Sequence, residues 1–370
     1  MRTLRILHAA DLHLDSPFEG LSRGKAALRR AEQRQLLTRM AELVRMEAVD
    51  IVLLSGDLLD SARAYLETGE ELLRSLQGMG VPVFIAPGNH DYYCARSPYA
   101  TLKLPGNVHV FTTPEVECVR LEELGACVYG AAFTDAHSGA LLDGFCAPRE
   151  EGVYNLLCMH GDVGVPDSPY NGVSLDALAA SGLDYAAFGH VHKGSGLLRA
   201  GATWYSWPGC PEGRGFDEAG EKYVSLVELN GEACTLEGRV VAARRYEKLD
   251  VDITGADALY AIHAALPDET VADIYRISLT GETARAPELS RLHAALEEFF
   301  FDLQLRDNTR LRRDVWERAG EDSLRGVFLA RLKAMRDAAQ DDEARQMYEQ
   351  AARWGLAALD NAEEVTRHED

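Results

Sequence analysis

Five short stretches concentrate the side chains that hold metal ions or move protons: Asp11-Leu12-His13, Gly56-Asp57-Leu58-Leu59-Asp60, Gly88-Asn89-His90-Asp91, His160-Gly161-Asp162 and Gly189-His190-Val191-His192-Lys193. Asp11, His13, Asp57, Asn89, His160, His190 and His192 supply enough oxygen and nitrogen donors for two divalent ions if one carboxylate is shared. Two such ions about 3.5–4 Å apart can clamp a phosphate and lower the pKa of a bound water toward about 7. Imidazole and carboxylate without thiolate suit Mn, Fe, Zn or Ni. His90 and Asp60 are left over. His90 reads as the group that stabilises or protonates a leaving oxygen, with Asp60 or Asp91 orienting its ring. A single Asp-x-His or His-x-His is commonplace in a capped turn; its recurrence at five strand ends is what points to a site.

Those residues need a scaffold that ends strands in one place. Residues 4–10 read as a strand, 25–47 as a helix with Leu28, Leu36, Met40, Leu43 and Val44 at helical spacing, 50–54 as a strand, 66–79 as a helix and 83–86 as a strand. That alternation predicts right-handed crossovers and a parallel sheet, with ligands at the carboxyl ends of its strands. Short strands follow near 107–111, 116–121 and 126–133, then a buried strand at 153–159, a short helix near 174–180 and a strand at 184–188. Residues 197–241 read as antiparallel strands interrupted by the loop 208–215. Beyond 243 come a strand near 246–253, a helix near 256–265, a strand near 273–280 and a helix near 288–301, and from 322 onward the pattern is purely helical.

Composition narrows the classes. The 370 residues carry a net charge of -21, divided evenly along the chain, so no basic tail or basic domain offers itself to nucleic acid. No apolar run reaches the roughly 18 residues of a membrane span, and the first eight residues turn polar too soon for a secretory segment. Seven cysteines without a Cys-x-x-Cys pair argue against a disulfide framework or thiolate zinc site and fit a reducing cytoplasm. Lys193 and Arg214 are candidate phosphate contacts. Trp204 and Trp207 read as core, Cys94 as a buried thiol, His8 and His109 as packed or hydrogen-bonded, and Asp15 and Asp162 as turn residues or supports for the ligands.

In their order, the five motifs resemble those of the calcineurin-like metallophosphoesterases. Ala-Asp-Leu-His-Leu-Asp-Ser-Pro-Phe at 10–18, Gly-His-Val-His-Lys at 189–193 and Pro-Gly-Cys-Pro-Glu-Gly-Arg-Gly-Phe at 208–216 narrow the resemblance to the Mre11/SbcD nuclease branch, particularly the bacterial YhaO-type DNA repair exonucleases. It covers residues 4–230 and is loose beyond. It implies an α/β fold: a metallophosphoesterase sandwich of two β-sheets flanked by helices over 1–242, a small α/β capping domain over 243–318 and a C-terminal helical partner-binding segment over 319–370. It further implies that Asp11, His13, Asp57 and His192 hold one ion, that Asp57, Asn89, His160 and His190 hold the other, that the ions are Mn2+, and that His90 is the catalytic acid. Some nuclease members carry His where this chain has Asp60, whereas phosphatase members pair an Asp there with the catalytic histidine, so the partner of His90 stays open.

The expected activity is two-metal hydrolysis of DNA phosphodiesters, as an exonuclease and also an endonuclease, in DNA repair. The implied partners are DNA and a Rad50/SbcC-like (YhaN-type) ATPase bound by the helical tail, with a homodimer as a further expectation and no membrane. Two other readings stand beside it: a phosphodiesterase or phosphatase acting on small nucleotides, and an architectural component that holds an ATPase at DNA ends.

Overall fold

A computed structural model describes residues 2–61, 64–311 and 315–359. Residues 312–314 of the expected cap and 360–370 of the expected C-terminal segment lie outside the described residues. Two compact units are distinguished: the first takes in Met1–Asp250, His263–Ser278 and Leu289–Arg306, the second Val251–Ile262, Leu279–Glu288 and Asp307–Asp370.

The first unit is built on two six-stranded sheets. In one, the order is Ala233–Arg239, Val224–Asn230, Leu4–Ala9, Ile51–Leu54, Val83–Ile85, Val108–Val110, the last four strands parallel. In the other it is Leu198–Ala200, Thr203–Ser206, Tyr185–Gly189, Tyr154–His160, Ala126–Gly130, Glu117–Leu121, with a parallel centre and antiparallel edges. The parallel pairing of these strands agrees with the parallel sheet predicted from the strand–helix alternation.

Strand periodicity explains the layering. Leu4 and Ile6 point with Ile51, Leu53 and Phe84 into a core between the sheets, against Val128, Leu156, Cys158, Tyr185 and Ala187 of the other. Their neighbours Leu7, Ala9, Val52, Leu54, Val83 and Ile85 face the opposite way, onto the helices Arg23–Met46 and Leu66–Met79. The outer face of the second sheet is covered through Leu142, Leu178 and Trp207, packed on Leu157, Met159 and Phe188.

The antiparallel expectation for 197–241 needs correction. Thr203–Ser206 runs parallel to Tyr185–Gly189, and the hairpin Val224–Asn230/Ala233–Arg239 joins the other sheet, antiparallel to Leu4–Ala9. Alternation identifies a strand but leaves its partner to the surfaces available: Val227 and Leu229 complete the core begun by Leu4 and Ile6.

Tyr246–Asp252, Ile274–Thr280 and Asp302–Asp307 form a three-stranded sheet in that order. The expected helix over 288–301 is shorter, Leu289–Leu296 followed by a 3₁₀ turn at Glu297–Phe299, and the strand after it was not foreseen. In the second unit the helices Leu324–Asp337 and Asp342–Leu359 pack through Leu329, Ala352 and Leu356 with Trp316, and the Phe328 ring lies against Gly355 where any side chain would collide. Leu324, Val327, Met335, Met347 and Trp354 remain exposed on this pair. No described helix is long and apolar enough to cross a membrane.

Candidate metal centre

The strand ends of both sheets converge. Beyond Ala9 and Leu54 the two chains stay zipped: the amides of Asp11, His13 and Leu14 donate to the carbonyls of Gly56, Asp57 and Leu58 at 2.9–3.0 Å, and that of Asp60 donates back to Leu14. To keep this pairing while turning their side chains inward, Asp11, His13 and Asp57 adopt left-handed backbones with φ of 54°, 45° and 52°, and His190 reaches 98°. Asp and His tolerate this region better than most residues, yet each such position stores about 1–3 kcal/mol that its surroundings must hold in place.

Those surroundings are visible. Gln33, fully buried on the helix Arg23–Met46, donates its amide to the carbonyls of Leu12 and His13 at 3.0 and 2.9 Å. Asp91, also fully buried, accepts the backbone N–H groups of Asp57, Leu58, Leu59 and Gly88 and the hydroxyl of Tyr99. The motif glycines permit the close approach: a Cβ on Gly88 would overlap Asp57 Oδ1, and one on Gly189 would overlap the Ser55 carbonyl.

Five of the seven expected ligands, Asp11, His13, Asp57, His160 and His192, fall into clusters able to hold an ion, and Asn89 and His190 lie beside them. Ligand atoms of Asp11, His13 and His192 lie within 4.8 Å of one another, as do those of Asp11, Asp57 and His160 and those of His13, Asp57 and His90. Asp57 Oδ2 stands 3.8 Å from His13 Nε2 and 3.4 Å from His160 Nε2, the placement of a carboxylate shared between two clusters. Asn89 Oδ1 is 3.0 Å from His160 Nε2. Both oxygens of Asp11 accept the His190 amide at 3.0 and 3.1 Å, and the His190 ring stands edge-on to that of His160 with centroids 5.3 Å apart.

The donor chemistry fits divalent ions. His160 Nδ1–H donates to the Ser55 carbonyl at 2.8 Å, His13 Nδ1–H to Asp60 Oδ1 at 3.1 Å and His192 Nδ1–H to Glu218 Oε1 at 2.7 Å. Each bond fixes the tautomer that leaves Nε2 free to ligate. The Nε2 atoms of His13 and His192 face each other at 3.2 Å. Metal–nitrogen bonds of about 2.1 Å to a common ion would space two neighbouring imidazole nitrogens in much this way.

Burial sets the charge. It pushes the Asp11 carboxyl up to about 6 and the His13 imidazole down to about 4. Burial also works against the charged forms of Asp57 and His160, but their mutual attraction prevails, holding Asp57 well below the usual carboxylate range and His160 up at about 9. The Asp57–His160 pair thus favours a proton on the imidazole, which a metal ion would have to displace before that nitrogen could ligate.

Two expectations change. The Asp60 carboxylate does not orient His90: it takes His13 Nδ1 and Arg214 Nη1, while His90 Nδ1 lies 3.4 Å from the Asp60 backbone carbonyl. Asp91 is committed to the backbone of the two turns and does not reach His90 either. Arg214 does not extend toward a substrate. Its Nη1 donates to Asp60 Oδ1 at 3.2 Å, its Nη2 to Glu218 Oε1 at 2.7 Å and its Nε to Glu218 Oε2 at 3.3 Å. Lys193 is exposed immediately after His192.

The remaining expectations fare variously. His90 is exposed, its ring edge-on to His13 at 4.7 Å and its amide donating to Asp57 Oδ1 at 2.9 Å. Asp162 accepts from Ser168 and stands 3.6 Å from His190 Nε2; Asp15 holds the Tyr65 amide and the Thr68 hydroxyl. Cys94 is half-buried rather than enclosed. Gln33, Tyr99 and Glu218 were not foreseen. Glu218 lies just past the 208–216 motif, and its one sequence signal is the four-residue spacing from Arg214.

The family description "calcineurin-like phosphoesterase" matches residues 4–194. Among similar proteins, the metallophosphoesterase YhaO of Bacillus subtilis is 29% identical over 279 residues, covering 72% of this chain and 67% of its own. The SbcD component of the SbcCD nuclease of the same organism is 24% identical, covering 63% and 68%, and the DNA double-strand break repair protein Mre11 of Aeropyrum pernix is 27% identical, covering 69% and 65%. The similarity therefore spans about two thirds of each relative. With the motifs in order, the carboxylate and imidazole clusters assembled and half of the chain matched, this protein belongs to the calcineurin-like phosphoesterase family of metal-dependent phosphoester hydrolases.

Proposed function

We propose that the protein is a DNA nuclease of the Mre11/SbcD branch that hydrolyses phosphodiesters with two divalent ions, Mn2+ in the cell, and acts in DNA repair as an exonuclease with endonuclease capacity. The observation that supports this reading is the set of three overlapping Asp/His clusters, two of them sharing Asp57, set among strand ends where His90, His190 and His192 reach solvent. Asp11, His13, Asp57 and His192 would hold one ion and Asp57, Asn89, His160 and His190 the other; when bound, the ions supply electrostatic stabilisation of the phosphoryl group and an acidified water. The chain's own part is orientation. Asp57 is steadied by the His90 amide, the imidazoles by Ser55, Asp60 and Glu218. His90, with Nδ1 toward the Asp60 carbonyl, would offer Nε2–H to the departing sugar oxygen.

In the same reading, residues 243–318 serve as a cap and 319–370 bind a Rad50/SbcC-like (YhaN-type) coiled-coil ATPase. The exposed row Leu324, Val327, Met335, Met347 and Trp354 supports a partner-facing role for the helical pair. The seven free cysteines suit a reducing cytoplasm, and a homodimer is part of the proposal.

The direct test is Mn2+-dependent digestion of end-labelled single- and double-stranded DNA by the wild type and by His90→Ala. Cleavage by the wild type alone supports the nuclease, and the product ladder gives its polarity. The engagement of Arg214 with Asp60 and Glu218 leaves Lys193 as the remaining candidate phosphate contact, which favours a small-nucleotide diester as the second reading. Intact DNA beside hydrolysed nucleotide diesters, with both ions bound, would select it.

A further inference from the structure

Arg214 stands behind the metal centre: its three nitrogens reach two carboxylates that have something in common, and its Nη2 also lies 3.0 Å from His192 Nδ1. Asp60 receives Nη1 and also the Nδ1–H of His13; Glu218 receives Nη2 and Nε and also the Nδ1–H of His192. The two imidazoles so oriented are the ones whose Nε2 atoms face each other at 3.2 Å, and with Asp11 they make one cluster. The ligands of the neighbouring cluster are oriented by other means. His160 is set by the Ser55 carbonyl and Asp57 by the His90 amide.

The guanidinium is itself anchored. Its backbone amide donates to Glu218 Oε2 at 2.8 Å, and two residues earlier Glu212 forms a fully buried ion pair with Arg29, whose Nη2 also donates to the Gly213 carbonyl. The Gly-rich loop is thus tied to the helix that also carries Gln33. A lysine in place of Arg214 would present one compact ammonium where the planar fork reaches two acceptors in different directions.

We propose that Arg214 is a positioning residue for one ion of the pair: by clasping Asp60 and Glu218 together it holds His13 and His192 in register and sets the affinity of the ion in their cluster, leaving the other ion largely unaffected. The proposal rests on the two-ion reading of this site. Carboxylates that orient a ligand directly, as Asp60 and Glu218 do, are worth about 10–100-fold in metal affinity when lost, and Arg214 acts on both. Arg214 differs from an ordinary support in serving two ligands of one ion at once.

Manganese titration of the full-length, chelator-stripped protein, followed by electron paramagnetic resonance, tests this without any substrate. The wild type is expected to take up two ions and show the spectrum of a coupled pair. Arg214→Gln should retain one ion at wild-type affinity and bind the other about 10–100-fold more weakly, giving the spectrum of an isolated ion where the wild type shows a pair. Arg214→Lys should weaken the same ion by a smaller factor, and it decides the matter should the Gln variant fail to fold. Asn89→Ala should weaken the opposite ion, so that Arg214→Gln with Asn89→Ala leaves no tightly held ion. Two ions at wild-type affinity in both Arg214 variants, or equal weakening of both ions, would overturn the role of Arg214 while leaving the two-ion reading intact. A wild type that binds a single ion would overturn both.

Discussion

Asp91 and Tyr99 are hydrogen-bonded to each other beneath the metal-ligand turns, the carboxylate with no solvent exposure and the tyrosine nearly so. Through that carboxylate, the turn after Val83–Ile85 is tied to the turn after Ile51–Leu54 by three backbone donors, and a fourth, from Gly88, closes its own turn. Asp91→Ala would strand those donors in a dry interior, and we expect a loss of about 3–5 kcal/mol in urea unfolding. Tyr99→Phe removes a single bond to the same acceptor and should cost about 1–2 kcal/mol. Equal losses for the two would show that the backbone donors find other partners.

Gln33→Leu keeps the size of the side chain but withdraws both donors from the carbonyls of Leu12 and His13. We expect about 1–3 kcal/mol lower stability by denaturant titration, together with weaker manganese binding, because the left-handed backbone of His13 loses its restraint. A stability loss with unchanged metal affinity would confine Gln33 to folding.

His8 lies between the sheets, its Nε2–H toward the Phe188 carbonyl at 3.2 Å and its Nδ1 accepting from the Tyr185 hydroxyl at 2.8 Å. Burial, partly opposed by that carbonyl, lowers its pKa from 6.5 to about 3. Between about 6.5 and 3 the unfolded chain binds a proton that the folded chain refuses, so this contribution to stability is complete above 6.5 and is lost as the pH falls. From pH 7 to pH 5 the loss is about 2 kcal/mol. Comparing the pH dependence of unfolding for wild type and His8→Gln isolates it; the variant should show the shallower slope.

His90→Ala removes an exposed ring that is held chiefly through its backbone. Turnover should fall by about 10²–10⁴ while both manganese ions remain bound. Loss of an ion, read by the same titration, would instead make His90 a ligand, as its closeness to His13 and Asp57 allows.

The site was legible in the sequence to the extent that residue type and strand position define it. Asp11, His13, Asp57, Asn89, His160, His190 and His192 declare themselves by recurring at strand ends, and chain order alone brings such ends together. Their supports were hidden because their roles depend on long-range contact. Arg214 and Asp60 are 154 residues apart, and neither type reveals that they meet behind His13 and His192. One signal was available. On the helix Arg23–Met46, Arg29 and Gln33 continue the stripe of Leu36, Met40 and Val44, and all five are buried. Polar residues on a core-facing stripe need partners inside, which marks them as supports of something. The division of the strands after 197 between the sheets was equally hidden, since alternation does not name a neighbour.

The left-handed backbones of Asp11, His13, Asp57 and His190 carry a consequence for laboratory evolution. At each position glycine would relax the turn, and where the ligand side chain is also a burden to bury, the folded chain should melt at a higher temperature without it. A library screened for heat resistance alone would therefore drift toward glycine at Asp11, His13 and His190 and yield robust, inert proteins, while Asp57 would be kept because its loss strands the buried His160 imidazolium. Thermal hardening of this scaffold requires a metal-binding selection run alongside it.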